Sequence, residues 1–529
     1  MTTDWPSIKA TLADRDVVVR FTTYGPMYTT QTWEFSAKRA WADEARRLVR
    51  HDHGVEVVTW GEPQDRTNIL RVHPSLHVRC AVRFNGDDGM RVDVCVENPF
   101  VDASDLSYGV VIFATTEGGG ETRTLLNRKG VSHGKGQRWR FAKWIGTPGS
   151  DLDASYDLEA WKAKGAVPNY AKLTPDPATV SGWISRWQES KHDPLRFDLG
   201  LWTAYEGHTG DDPEIGLMPQ WVALALLSRD PRLLRIVVAN DSLFGGMPIH
   251  FRDRATLQPL SATIVPTLTI AQPKVPAPQI QRDFDDAHHP LAGAASYLLT
   301  GDHWSAEEVE FLANWIDLNS NATYRGGALG LCIDHEQRRS VAWCLRTKFW
   351  ACWNLPNGRS RFDLTVRANL AKLTASLDNG YHGIRVEGAQ NPWFCDTDSK
   401  YNPSYNEGYL LAVLGWAKSM GTNTESIVTE LAKWPINRWL HWPPEEAAPY
   451  LAAVADSHGT AYAINEAHAK TYANRNGEPW NPTYYQTVDD AALAAAEKAG
   501  APNATEARRR CQAAIGGYPW ERNPAWSVE

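Results

Sequence analysis

The stretch NATYRGGALGLCIDHEQRRSVAWCLRTKFWACWNL, residues 321–355, determines how the rest of the chain is organised. From about residue 335 its spacing predicts a helix with one stripe of large side chains, namely Arg339, Trp343, Arg346, Trp350 and Trp353. The nearly opposite side of this helix carries Val341, Leu345 and Cys352. A helix that is apolar on more than one side must be enclosed by other helices, and this one takes arginines into the enclosure.

The loop before this helix, residues 324–336, brings cationic, acidic and aromatic side chains to the helix N-terminus. Backbone N–H groups and the helix macrodipole favour anions at such an end. We interpret the loop and the helix as one wall of a carbohydrate-sized pocket.

The length and charge of the chain restrict its class. At 529 residues it exceeds one ordinary core, which predicts two or three domains. Its net charge of −8 argues against a nucleic-acid-binding or anionic membrane-binding surface. The N-terminal residues lack a signal-peptide core, and no apolar run approaches the roughly 20 residues of a membrane span. We therefore expect a protein assembled in the cytoplasm, without membrane insertion and without a nucleic-acid partner.

Cysteine and tryptophan usage adds two expectations. The seven cysteines form no CxxC pair or Cys/His cluster, which predicts buried free thiols in a reducing compartment. Tryptophan is frequent, with 24 residues. We assign most of them to core packing and the remainder to stacking on sugar rings.

Short β-branched runs in the first third of the chain predict strands at residues 16–21, 55–60, 67–72, 75–84, 89–98 and 108–115. Such strands without intervening helices indicate an antiparallel β-sandwich, which we place at residues 1–175 with one helix at residues 37–50. The basic, aromatic segment HGKGQRWRFAKWIG (133–146) is interpreted as a solvated strand rather than an anion-binding one, because charge on an outer sheet face is ordinary.

Six pairs of helices, which we call couplets, are predicted next. In each couplet a helix that is apolar on most sides is followed, after a Gly or Pro turn, by a helix that is apolar on one side. They span residues 219–240, 288–318, 335–378, 405–433, 446–473 and 485–515. In a ring of helical hairpins the inner helices touch the axis and the outer layer, whereas the outer helices keep one face in water.

The predicted fold class is therefore α+β and multidomain. The β-sandwich is followed by an (α/α)6-like helical toroid at residues 176–529, with an extended Pro-rich insertion at about residues 245–280. In a competing partition, the sandwich extends to about residue 280 beside a smaller helical array.

Tight turns at one end of such a ring leave the long connections, among them residues 434–442, at the other end, where the inner helices begin. A groove there suits a saccharide, and its arginines suit an acidic one. The candidate binding residues are Arg252, Tyr324, Arg325, Arg338, Arg339, Trp343, Arg346, Trp393, Trp439 and Trp442. The candidate catalytic residues are His250, His288, His335, Asp334, Glu336 and Asp398.

Several chemistries remain open for these residues. Glycoside hydrolysis needs two carboxylates flanking the bond, and no spacing singles out a pair. Polysaccharide lysis by β-elimination needs a cation for the uronate and a His or Tyr base. Adjacent His288 and His289 point apart, so we expect no metal site, and no cofactor is indicated. The alternative to any reaction is that inward Arg, His and acidic side chains pair with one another.

Several segments together resemble a known family: HGKGQRWRFAKW (133–144), PEIGLMPQWVA (213–223), DAHHPLAGAASYLLTGD (286–302), YRGGALGL (324–331), EQRRSVAWCLRT (336–347) and NPAWSVE (523–529). The family consists of virion structural proteins encoded in phage, prophage and gene-transfer-particle regions. No catalytic residue is carried over from it. The resemblance implies a particle-surface protein, such as a head spike or tail-associated component, that contacts host surface glycan and other virion proteins.

The leading hypothesis is a virion surface protein whose toroid groove binds host surface or capsular polysaccharide. The second hypothesis is a polysaccharide lyase or glycoside hydrolase that acts in the same groove. The third is a purely structural particle component without glycan binding.

Overall fold

Strands come first and helices follow in the structure, which is a computed structural model. It describes residues 16–24, 30–42, 46–51, 54–85, 89–115, 122–146, 148, 155–202, 212–270, 286–333, 338–377, 401–456, 458, 460–473 and 483–529. The described part therefore mixes antiparallel sheets near the N-terminus with helices in the remainder, in agreement with the predicted class.

Two five-stranded antiparallel sheets form the N-terminal region. Their strands are β1 (Asp16–Tyr24), β2 (Thr30–Ser36), β3 (Arg46–His51), β4 (Gly54–Gly61), β5 (Gln64–Asp65), β6 (His77–Asn85), β7 (Gly89–Glu97), β8 (Leu106–Thr115), β9 (Thr122–His133) and β10 (Arg138–Ile145). The first sheet has the order β5-β2-β1-β8-β9 and the second the order β10-β7-β6-β4-β3. Both sheets contribute to one hydrophobic core, which includes Val19 of β1 and Val94 of β7. This is the sandwich expected from the alternating runs.

The second sheet has a charged outer face. Side chains alternate between the two faces of a strand, so Val78 and Val82 of β6 enter the core while Arg79 lies on the opposite face. Arg138 of β10 is on the outer face as well and is only 4% exposed. The interpretation of residues 133–146 as a solvated strand is therefore wrong around Arg138, where helices cover this face, whereas Ala142 and Lys143 nearer the end of β10 are exposed.

Fifteen helices are described, together with a two-stranded sheet of β11 (Tyr401–Asn402) and β12 (Ala452–Ala453). The helices are α1 (Ala37–Ala42), α2 (Leu158–Ala163), α3 (Pro177–Glu189), α4 (Gln220–Ser228), α5 (Pro231–Leu243), α6 (Ala294–Thr300), α7 (His303–Asn319), α8 (Arg338–Asn354), α9 (Gly358–Ser376), α10 (Ser404–Ser419), α11 (Glu425–Leu431), α12 (Lys433–His441), α13 (Ile464–Ala473), α14 (Thr483–Lys498) and α15 (Ala504–Ile515). Among these described helices, none combines the length and apolar composition needed to cross a membrane.

Helices α10 and α14 run parallel and in register. Contacting partners differ by 80 in residue number at three levels, Tyr405 with Tyr485, Gly408 with Val488, and Gly415 with Ala495. A Cβ atom added at Gly408 would lie 2.8 Å from Val488 Cγ1. The absence of a side chain at these glycines therefore allows the close approach of the two helices.

Helix α8 joins the same parallel set. Its Trp343 ring lies 4.6 Å from that of Tyr409, and one turn earlier the charge of Arg339 acts on Tyr405. Both pairs differ by 66 in residue number, so α8 and α10 point the same way. We call the end at which α8, α10 and α14 begin the leading end. Closure of the couplets into a complete ring stays a prediction.

Four expectations differ from the structure. The helix expected at residues 37–50 ends at Ala42, and β3 begins at Arg46. The strand expected at residues 67–72 is a loop, and the inner helix expected at residues 446–457 is absent from the described residues there, which contain the short strand β12. Helix α12 occupies a stretch that was expected to be a connection, Trp434 to Trp442.

Helix α7 was expected to keep one face in water. Its polar face lies against the outer face of the second sheet instead, so that even Glu308 is only 5% exposed. The sandwich and the helical region are thus joined by a buried polar interface.

Candidate functional site

The inward stripe of α8, expected to face a ligand, is covered by other parts of the chain. Arg346 is fully buried and donates to the carbonyl oxygens of Gly216 and, at 2.7 Å, His289. Trp350 Nε1 donates to Ala166 O at 2.9 Å. The ring of Trp343 lies 6.3 Å from that of Trp526. We call residues 165–171, 213–219 and 524–529 the covering segments.

The covering segments are tied to one another as well as to the helices. Ala171 N donates to Ser527 O at 2.6 Å, and Glu529 N donates to Asn169 O at 2.9 Å. Burial lowers the pKa of Arg346 to about 9, because the guanidinium has given up water for backbone carbonyls. Trp343 and Arg346 therefore hold the fold together and offer no surface to a saccharide.

Other predicted binding residues are also structural. Arg325 is buried and donates to four backbone carbonyls, those of residues 266, 268, 320 and 327. Trp439 is fully buried with Nε1 2.8 Å from Asp489 Oδ2, and the buried Trp442 donates to Ile464 O at 2.9 Å. Burial of these rings argues against stacking on sugars. Tyr324 is the exception, with 65% of its surface exposed.

The described histidine candidates, His250 and His288, are both buried. His288 is buried, and its neighbour His289 has Nε2 3.2 Å from Thr347 Oγ1, with its pKa lowered to about 3 by burial and by Arg346. His250 has Nε2 2.7 Å from Glu308 Oε2. Five candidates, Asp334, His335, Glu336, Trp393 and Asp398, lie outside the described residues, as does the side chain of Arg338.

Arg252, a predicted sugar-binding cation, is engaged with acidic side chains at the interface of sheet and helices. Its Nε and Nη2 donate to Glu97 Oε2 at 2.6 Å and Oε1 at 2.7 Å. A further contact joins Nη2 to Glu307 Oε2 at 3.1 Å. Burial alone would raise the pKa of Glu97, but the charges of Arg252 and Arg79 outweigh it and hold this pKa at about 2.

A second group of charges extends this interface. Arg138 Nε donates to Glu308 Oε1 at 2.7 Å, and Nη1 donates to Glu307 Oε2 at 3.2 Å. Arg140 binds Asp93 and Asp302. Cations and carboxylates alternate through the interface, so each buried charge has a partner of opposite sign that offsets its loss of hydration.

At the leading end, one predicted cation lies beside residues that the sequence analysis missed. The ring of Tyr405 stacks between those of Tyr450 and Tyr485, with centroids 5.3 and 4.7 Å away and interplanar angles of 15° and 17°. Burial raises the pKa of Tyr405, and Arg339 opposes this rise. Tyr409 and Tyr484 continue the cluster, with hydroxyl oxygens 3.3 Å apart.

The buried polar atoms at the leading end include two that we single out because they have no hydrogen bond among the described residues. They are Nη1 of Arg339 and Oδ1 of Asn406, the residue next to Tyr405. Asn406 is 5% exposed, and Arg339 is half-buried. A donor and an acceptor are thus left unused beside a stack of tyrosines. The sequence signal was the polar first turn of a helix otherwise apolar on all sides, YNEGY at residues 405–409.

Comparison with protein-family models, with curated proteins and with solved structures gives no match for this chain. Within the described ranges, no three His, Cys, Asp or Glu side chains group in a way that holds a metal ion.

Proposed function

We propose that the protein binds an acidic polysaccharide at the leading end of the helical array, as a surface component of a phage-type or gene-transfer particle. In this proposal the couplets close into an (α/α)6-like toroid whose axis is filled by the covering segments and opens only at the leading end. The observation that carries the proposal is a pair of buried atoms without a hydrogen bond in the part of the chain that the structure describes, Arg339 Nη1 and Asn406 Oδ1.

An unused buried polar atom is costly, at about 1–3 kcal/mol each. A ligand that supplies both missing partners recovers this free energy on binding. A uronate or similar acidic sugar has a carboxylate that accepts from Arg339 and adjacent hydroxyl groups that donate to Asn406. Charge assistance makes the guanidinium contact the stronger of the two.

The tyrosines favour binding over β-elimination. Burial raises the pKa values of Tyr405 and Tyr409, so both hydroxyls stay protonated at neutral pH. A protonated phenol donates a hydrogen bond to a sugar oxygen but does not take the C5 proton of a uronate. The stacked rings also hold each other in place, which lowers the entropy that a ligand contact costs.

The test is calorimetry of the full chain with a uronate-containing capsular polysaccharide, with a neutral polysaccharide for comparison. We expect Arg339→Ala to weaken binding of the acidic glycan by about 10–100-fold, because a charge-assisted hydrogen bond contributes about 1.5–3 kcal/mol. Asn406→Ala should weaken it less. The matched control is Arg367→Ala, which removes an arginine of α9 that is 76% exposed in its side chain.

Wild-type affinity in Arg339→Ala, or equal affinity for neutral and acidic glycans, would exclude this site. The particle location is tested separately, by antibody labelling of purified particles. Label found only in the particle-free fraction refutes that part of the proposal and leaves the binding site standing.

A further inference from the structure

A cavity of about 370 Å³ lies between the outer face of the second sheet and the helical region. Strands β4 and β6 form one wall, the loop at residues 256–259 a second, and α6, α7 and the start of α9 the third. Its size falls in the range of about 300–1,000 Å³ typical of small-ligand pockets. Its lining includes Trp60, His77, Arg79, Tyr297, Glu307 and Arg361.

This cavity is remote from the leading end. Leu355, Pro356 and Asn357 line it, and they follow the last residue of α8, whereas Arg339 is in the first turn of that helix. A helix of 17 residues is about 25 Å long. The cavity is therefore a separate site, independent of the proposed polysaccharide site.

His77 is the least satisfied side chain of the cavity lining. It is 1% exposed, and neither ring nitrogen has a hydrogen bond among the described residues. Its closest acidic atom is Glu97 Oε2, 3.8 Å from Nδ1. Burial lowers the pKa of His77 to about 4, so the ring is neutral at pH 7. A neutral imidazole offers one donor and one acceptor, and both are unused here.

The charges of the lining are matched. Arg79 pairs with Glu307 while its guanidinium lies 4.7 Å above the Trp304 ring. Arg361 pairs with Glu310 and donates to Gln258 Oε1 at 2.7 Å.

The third arginine of the lining, Arg252, is held bidentately by Glu97. An anion would meet the carboxylates of Glu307 and Glu310, and a cation would meet the guanidinium groups. An uncharged ligand avoids both conflicts.

We propose that this cavity binds an uncharged polyhydroxylated small molecule the size of a mono- or disaccharide. Each hydroxyl group both donates and accepts, so it can pair with a ring nitrogen of His77 in either tautomer. Arg79 keeps donors beyond its contact with Glu307, and these reach hydroxyl oxygens. The half-buried rings of Trp60 and Tyr297 add apolar surface for the C–H groups of a sugar.

The test uses the full chain and a panel of probes, with ligand-observed NMR and calorimetry as readouts. The neutral probes are glucose, galactose, mannose, N-acetylglucosamine and maltose, and the charged probes are glucuronate and glucose 6-phosphate. We expect at least one neutral probe to bind and both charged probes to bind more weakly. Arg339→Ala should not change this binding, which separates this site from the leading end.

His77→Phe keeps a ring of similar shape and removes both nitrogens. We expect it to weaken the bound neutral probe at least tenfold while leaving the melting temperature equal or higher, because no hydrogen bond is lost in the unliganded protein. A purely structural histidine predicts a lower melting temperature instead. Ala306→Leu, which fills the cavity from α7, should weaken binding as well and supplies a second variant. The control is His192→Gln, at an exposed position outside the cavity.

Three results overturn the proposal. They are binding of no neutral probe at about 10 mM, tighter binding of the charged probes, or unchanged neutral-probe affinity in both His77→Phe and Ala306→Leu.

Discussion

The buried carboxylate of Glu97 is expected to contribute strongly to stability at neutral pH. Glu97→Gln keeps the shape of the side chain but leaves the guanidinium of Arg252 in the interface without its bidentate partner. Folding lowers the pKa of Glu97 from 4.5 to about 2. A tenfold change in proton affinity is about 1.4 kcal/mol, so the ionised form stabilises the fold by about 3 kcal/mol. Removing one partner of a buried ion pair typically lowers the free energy of unfolding by about 3–5 kcal/mol, a range that includes this value.

The pH dependence has a definite sign. Because the folded-state pKa of Glu97 is depressed, its contribution is fully present above about pH 4.5 and is lost as pH falls toward 2. Urea unfolding followed by tryptophan fluorescence should show Glu97→Gln destabilised by about 3 kcal/mol at pH 7, with the difference shrinking steadily below pH 4.5. Glu34→Gln is the control, since the Glu34–Arg20 pair is partly exposed and such pairs contribute about 0–1 kcal/mol. A difference below about 1 kcal/mol at pH 7, or one that is the same at pH 7 and pH 3, refutes the reasoning.

Three further predictions follow from packing. Gly415→Val should destabilise the protein by at least about 1–3 kcal/mol in urea unfolding, because the added side chain meets Ala495 of α14. The control is Gly182→Ala in α3, where a Cβ atom has open space around it, and this change should stabilise the protein by about 0.5–1 kcal/mol. Equal effects of the two substitutions would contradict the close approach of α10 and α14. Trp526→Ala should lower the free energy of unfolding by about 3–5 kcal/mol, because this 1% exposed ring packs a covering segment against Trp343 and Tyr409. A melting temperature near that of wild type would show that the segment does not stabilise helices α8 and α10. At most one of the seven thiols should react with a thiol reagent before unfolding, since six described cysteines are buried, and rapid labelling of two or more contradicts this burial.

The sequence predicts elements well where the burial pattern is regular. The runs at residues 75–84 and 89–98 alternate cleanly, and they became β6 and β7, whose inward residues share the sandwich core. The couplet at residues 485–515 likewise became α14 and α15 within one or two residues at each boundary. In both cases the local period and the tertiary environment agree, so local information is sufficient.

Proline position explains two of the errors. The stretch at residues 446–457 is rich in alanine and resembles a helix, but Pro449 lacks an N–H group and disfavours helix for the residue before it. Helix α12 carries Pro435, which lies in its first turn, where the missing N–H group has no helical partner to lose. Both stretches contain a proline, and its position relative to the helix start differs between them.

The stripe on α8 shows why burial can be predicted from the sequence while the packing partner cannot. Its period correctly predicts that Trp343, Arg346 and Trp350 are enclosed, because periodicity reports burial. It does not report the partner, which turned out to be segments more than 100 residues away in sequence, such as residues 213–219 against Arg346. An arginine that satisfies backbone carbonyls and an arginine that waits for a ligand have the same local pattern. In the structure they differ in their partners: both Nη groups of Arg346 donate to backbone carbonyls, whereas Nη1 of Arg339 has no hydrogen bond among the described residues.

The cavity at the opposite end of α8 was hidden for a related reason. Arg79 and Arg138 alternate with apolar residues along their strands, as charges on a solvated face also do, while Glu307 and Glu308 resemble an ordinary polar helix face. The two patterns are complementary in charge, yet they lie about 170–230 residues apart in the chain. Neither pattern alone predicts a buried interface. The interface is predicted only when the strand with arginines at every second residue is considered together with the later helix that has consecutive glutamates. The burial of His77 is a consequence of that interface. Its ring lies on the same outer face of β6 as Arg79, so it is buried when the helices pack on that face, even though no hydrogen-bond partner for it is found among the described residues.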